Sequence, residues 1–138
     1  MSHLHIGIIG ESGSGKSTLL RLLLRYYPIQ TGDIRINGIS LDKFSFEELH
    51  IHIAVLEQDT YLFNDTIAGN IAIAKPDATL DEIRLAAKRA GIDDFIMSLA
   101  EGYDTQMGQM SLRVSGGERQ RIGLARIMLK QPDVIILD

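Results

Sequence analysis

The chain has 138 residues, 45% of them apolar and 23% charged, with a formal net charge of −4 and no cysteine. This suffices for one globular domain with a sizeable core, excludes a disulfide framework and a thiolate metal site, and fits an intracellular setting. No apolar run approaches the ~18 residues of a membrane span, no signal peptide precedes Gly10, and the basic residues, loosely grouped at Arg119, Arg121 and Arg126, form no face for duplex nucleic acid.

Residues 4–9, LHIGII, predict a short buried strand, because an apolar run of that length next to glycine fits one. Residues 15–27 predict a leucine-rich helix stopped by Pro28. Residues 32–36 and 51–56 read as further strands, the first ending at an Asn37-Gly38 turn. Helical patterns follow over 66–74, 80–90 and 93–99, punctuated by Pro76 and Gly91, with Asp77 or Thr79 as the cap of the second. Residues 116–130 predict a last helix and residues 134–137 a last apolar strand before Asp138.

One stretch demands chemistry. Gly10, Glu11, Ser12, Gly13, Ser14, Gly15, Lys16, Ser17 and Thr18 form a G-x-x-x-x-G-K-[ST] pattern between a predicted strand and a predicted helix. Glycines let the loop curl so that successive N–H groups point at an anion, and the helix start adds its positive dipole end. In that pattern Lys16 reaches the β- and γ-phosphates and Ser17 offers a hydroxyl to Mg²⁺. The bland alternative is a flexible Gly/Ser turn, and the strand–loop–helix context counts against it. A nucleoside-triphosphate site is expected.

The segment 114–138, VSGGERQRIGLARIMLKQPDVIILD, resembles the ATP-binding cassette (ABC) ATPases. Ser115, Gly116, Gly117 and Glu118, followed by Arg119, Gln120 and Arg121, match the family signature, with Val114 where leucine is usual. A serine and two glycines before a helix also make a second N-terminal anion site, or simply a Ser N-cap. VIILD resembles the family's Walker B strand, which implies that Asp138 holds Mg²⁺ at the carboxyl end of a buried parallel strand. Gln58 matches the family glutamine near Mg²⁺ and the attacking water; a solvated loop glutamine is the alternative. Residues 62–67 (LFNDTI), Asn70-Ile71 and residues 102–108 (GYDTQMG) resemble the exporter branch, although Gln109, Met110 and Ser111 stand where Glu-Arg-Gly is common.

The resemblance implies an α/β fold: a P-loop NTPase core with a parallel sheet (residues 1–60 and 115–138) and an inserted all-helical subdomain (about 61–114). It implies ATP and Mg²⁺, with Lys16, Gln58 and Asp138 as catalytic residues and Ser17, Gln58 and Asp138 around the metal. Ser115, Gly116, Gly117 and Glu118 would complete the ATP site of a second nucleotide-binding domain in a head-to-tail dimer. The other implied partner is a transmembrane domain, met by the insert at Tyr61, Leu62 and Phe63 unless these are buried, and holding the chain at the cytoplasmic face of a membrane. No nucleic-acid partner is expected.

An intact domain of this family is longer at both ends, so the 138 residues read as an incomplete ABC ATPase domain. An adenine-stacking aromatic upstream and a catalytic glutamate after Asp138 are not in the sequence. The fragment is therefore expected to be inactive in hydrolysis. It is also expected to be marginally folded, because the strand that separates the Walker B strand from the P-loop strand lies downstream and two interior edges would go unpaired. The leading function is ATP hydrolysis driving membrane transport, of exporter type. The alternatives are a soluble ABC ATPase in DNA repair or translation, and a nucleotide-binding module without turnover.

Overall fold

A computed structural model describes residues 6–57, 59–110 and 114–137, the side chains of Gln109 and Met110 excepted. The chain separates into two compact units, Met1–His50 and Ile51–Asp138.

In the first unit, helix α1 spans Lys16–Leu23 and ends four residues earlier than the sequence suggests. Arg25 turns into the left-handed region at φ 58°. The Arg25 amide then donates to Leu22 O (3.0 Å) and the Tyr26 amide to Arg21 O (2.8 Å), the pair of hydrogen bonds that closes a Schellman cap. Strands β1 (Arg35–Ile36) and β2 (Ile39–Ser40) pair antiparallel across Asn37-Gly38. Both turn residues have positive φ, 52° and 81°, as a two-residue hairpin requires. The predicted strand over 32–36 is thus two residues long. Helix α2 (Phe46–His52) occupies the start of the strand predicted over 51–56. Its cause is a reciprocal cap: the Glu48 amide donates to Ser45 Oγ (3.1 Å) and the Ser45 amide to Glu48 Oε2 (2.7 Å).

Residues 6–9 correct the sequence reading more sharply. They take no strand geometry and have no ladder partner among the described residues, and Ile9 is 99% exposed. An apolar run becomes a strand only where another backbone satisfies its N–H and C=O groups.

In the second unit, β3 (Ile53–Leu56) pairs in parallel with β4 (Val134–Leu137), Ile53 facing Val134 and Leu56 facing Leu137. The helices are α3 (Ile67–Ala72), α4 (Leu80–Arg89), α5 (Asp93–Ser98), the short α6 (Met107–Met110) and α7 (Gly116–Lys130). Thr79, not Asp77, caps α4, in a capping box with Glu82. Thr66 caps α3 by accepting the Gly69 amide at 2.9 Å. The core lies among these helices, around fully buried Ile67, Ile71, Ile92, Ile96, Met107 and Ile122. Each such side chain contributes roughly 1.5–3 kcal/mol of burial. The Tyr103 hydroxyl donates to Asp93 Oδ1 at 2.6 Å, and burial, reinforced by that carboxylate, pushes the phenol pKa well up. At the end of α7, Lys130 Nζ donates to Ile53 O (2.9 Å) and ties the helix to β3.

Candidate functional site

The glycine loop is built within the first unit. The Ser14 amide donates to Glu11 O (3.1 Å), closing a turn over residues 11–14. Gly13 (φ 82°) and Gly15 (φ 94°) sit in the left-handed region, where a side chain is strained. Gly15 is the N-cap of α1 and has no side chain to satisfy the first-turn amides. The helix start is therefore a donor-rich, positive end without a built-in acceptor. Gly10 leaves room for the loop's own side chains: a Cβ there would lie 2.6 Å from Ser14 Oγ and displace it. Lys16 Nζ folds back along the loop, donating to Gly10 O (2.6 Å), Glu11 O (2.7 Å) and Ser14 Oγ (3.3 Å). Glu11, Ser12, Gly13, Ser14, Ser17 and Thr18 are all exposed. An ammonium held against loop carbonyls beside unpaired helix-start amides fits the phosphates of a nucleotide.

The second sequence motif is built at the head of α7. Ser115 Oγ accepts the Glu118 amide (3.2 Å), and the Ser115 amide donates to Glu118 Oε2 (2.8 Å). Ser115 is therefore a true N-cap in a capping box. The two readings of this serine are compatible, because its hydroxyl oxygen accepts from the helix while its O–H remains a donor. Gly116 and Gly117 are exposed, with open space where a Cβ would stand.

The last motif is only partly described. β4 forms and pairs as expected of a parallel strand, but Val134, Ile135 and Leu137 are exposed rather than buried. A strand laddered on one side alone leaves much of its surface open. Gln58 and Asp138 lie outside the described residues. Ser17 stands exposed on the first turn of α1. No group of three or more His, Cys, Asp or Glu side chains suited to a metal occurs among the described residues.

Of the three residues proposed to meet a membrane domain, Leu62 is buried, while Tyr61 (71% exposed) and Phe63 (46%) pack edge to face with ring centres 4.9 Å apart. The sequence reading missed what holds them. Asn70, fully buried, accepts the Phe63 amide on Oδ1 (2.8 Å) and donates Nδ2 to Phe63 O (3.0 Å). Arg126 on α7 donates Nη1 to Tyr61 O (2.9 Å) and Nε to Asn70 O (2.7 Å). The available signal was a cation set inside the apolar stripe of Ile122, Ala125 and Leu129.

A family model described as ABC transporter matches residues 3–138. The chain belongs to the ABC transporter family. Among curated ABC proteins, "ATP-binding cassette sub-family B member 6" of Rattus norvegicus is 51% identical over 133 residues, which is 96% of this chain and 16% of that protein. "Probable ABC transporter ATP-binding/permease protein" of Haemophilus influenzae is 50% identical over 133 residues, 96% of this chain and 24% of its own length. The solved "Structure of a bacterial Atm1-family ABC exporter with ATP bound" superposes with a TM-score of 0.87 at 43% identity, covering 93% of this chain and 22% of that one. The chain thus spans between about a sixth and a quarter of these ABC relatives. At that identity and overlap the α/β fold is that of an ABC ATPase, a P-loop NTPase. Family members are generally ATPases, and the exporter-like segments seen in the sequence agree with exporters among the relatives. No described helix is long and apolar enough to cross a membrane.

Proposed function

We propose that this chain is the nucleotide-binding part of an ABC exporter: it binds ATP with Mg²⁺, and the longer exporter hydrolyses that ATP to drive transport across a membrane. The observation that carries the reading is the glycine loop: its lysine lies along the loop and its helix start is uncapped by any side chain. Bound Mg²⁺-ATP supplies a γ-phosphoryl group whose transfer depends on positioning and charge stabilisation. Gly10–Thr18 wrap the phosphates. Lys16 would exchange two loop carbonyls for phosphate oxygens, and Ser17, Gln58 and Asp138 would hold the metal. Ser115, Gly116, Gly117 and Glu118 serve the site of a second nucleotide-binding domain, head to tail.

In this reading residues 61–114 are the helical subdomain. Tyr61 and Phe63 meet the transmembrane domain, which keeps the chain at the cytoplasmic face of the membrane.

A thermal melt with and without Mg²⁺-ATP, beside Lys16→Ala, tests the phosphate cradle. Ligand at a hundred times its Kd adds ~2.7 kcal/mol. For 138 residues, with an unfolding entropy of roughly 2 cal/mol/K per residue, that is a rise of about 9 °C. The rise should vanish in Lys16→Ala. A melt indifferent to Mg²⁺-ATP, or a rise unchanged by Lys16→Ala, would sink the proposal.

A further inference from the structure

The half-buried guanidinium of Arg126 has no carboxylate partner among the described residues. Among the described residues its hydrogen bonds go instead to one short stretch of chain: Nη1 to Tyr61 O (2.9 Å), Nε to Asn70 O (2.7 Å) and Nη2 to Asn70 Oδ1 (3.0 Å). The cation also lies 5.8 Å from the Phe63 ring centre. Asn70 is fully committed. Its Oδ1 takes both Arg126 and the Phe63 amide, and its Nδ2 serves Phe63 O and Thr66 O, each at 3.0 Å. Burial without a counter-charge disfavours the cation and holds the Arg126 pKa below its usual value. A structure needing only packing here would be served by an apolar side chain at less desolvation cost.

We propose that Arg126 is a positioning residue: its planar fork fixes the Tyr61–Phe63 aromatic pair to α7, the helix headed by Ser115–Gly117. An ammonium is no equivalent, because the three acceptors are met by three separate nitrogens of the fork, which a single point charge on a flexible stem does not reproduce. Displacement of the aromatic pair is then carried to α7 rather than absorbed in the loop. That consequence rests on the reading of Tyr61 and Phe63 as the transmembrane-domain surface.

Fluorotyrosine labelling tests the positioning. The chain has four tyrosines, and Tyr61→Phe assigns the Tyr61 resonance. In Arg126→Met the Tyr61 signal should lose the ring-current shift of its edge-to-face contact with Phe63 while the signal of buried Tyr103 stays. The Phe63 amide should exchange with solvent at least about tenfold faster, as expected for losing a charge-assisted network. Arg126→Lys should fail to restore either readout, and both variants should keep the Lys16-dependent ATP shift. Rescue by Arg126→Lys would overturn the proposal, since charge or bulk would then suffice. Movement of Tyr103 along with Tyr61 would also overturn it, because Arg126 would be a general stabiliser of the unit. Loss of the ATP shift in the unmutated chain, with the fluorine result intact, would sink the nucleotide reading and leave the positioning role standing.

Discussion

Gly123, in the middle of α7, poses a conflict between two effects of known sign. Replacing an interior helical glycine by alanine normally stabilises by ~1 kcal/mol. Here a Cβ would lie 2.6 Å from Thr60 Oγ1, 2.8 Å from Leu56 Cδ1 and 3.1 Å from Thr60 Cγ2. Leu56 can yield by turning about χ2, which moves Cδ1 away. Thr60 cannot yield simply, because it is β-branched and both of its outer atoms already crowd the site. Overpacking of this kind costs roughly 1–3 kcal/mol. The clash should win, leaving Gly123→Ala less stable by about 1 kcal/mol, a drop of about 3 °C at an entropy of roughly 2 cal/mol/K per residue. In a Thr60→Ala background the same change should be neutral or stabilising, so the two substitutions should couple by about 1 kcal/mol or more in a double-mutant cycle. Melts of the four variants in urea decide it. A higher melting temperature for Gly123→Ala alone, or strict additivity, would show that α7 does not lie this close to the 56–60 segment.

Gly10→Ala should abolish the Mg²⁺-ATP shift while leaving the apo melt nearly unchanged, since the clash with Ser14 Oγ falls in an exposed loop; a retained shift would mean the loop binds in another shape. Ser115→Ala should cost ~1 kcal/mol of stability, the usual worth of an N-cap, and should raise amide exchange in the first turn of α7, with unchanged exchange at Glu118 counting against the cap. Glu82 lies beside Lys75 (2.6 Å), whose hydrogen bond, followed by that of the Thr79 amide, holds its carboxyl below the usual carboxylate range. A depressed folded pKa stabilises above the unfolded value, near 4.5, and that contribution is lost as pH falls through the folded value. The wild type should therefore out-melt Glu82→Gln at pH 7, and the gap should close in acid; a gap independent of pH would place its origin elsewhere.

Much of the site was legible because its chemistry is local. The loop glycines, Lys16 and the α1 start lie within nine consecutive residues, and backbone geometry over so short a span is set by residue type. Ser115 and Glu118 likewise announce a helix head by their spacing, as do Thr79 and Glu82. The same signal, Ser45 with Glu48, was present for α2 and passed over beneath the apolar run that followed.

What only the tertiary structure decided is non-local. Residues 6–9 carry a strand's composition, yet composition supplies no partner for their backbone groups, and they remain without ladder bonds. The end of α1 at Arg25 turned on a left-handed residue that no propensity favours. Which of Tyr61, Leu62 and Phe63 face outward depended on Asn70 and Arg126, the latter 65 residues from Tyr61. Sequence alone determined the glycine loop and helix start proposed to bind phosphate, because both are written in adjacent residues. The exposure of β4, the placing of the aromatic pair and the crowding at Gly123 had to wait for the fold, because each depends on which atoms distant parts of the chain bring together.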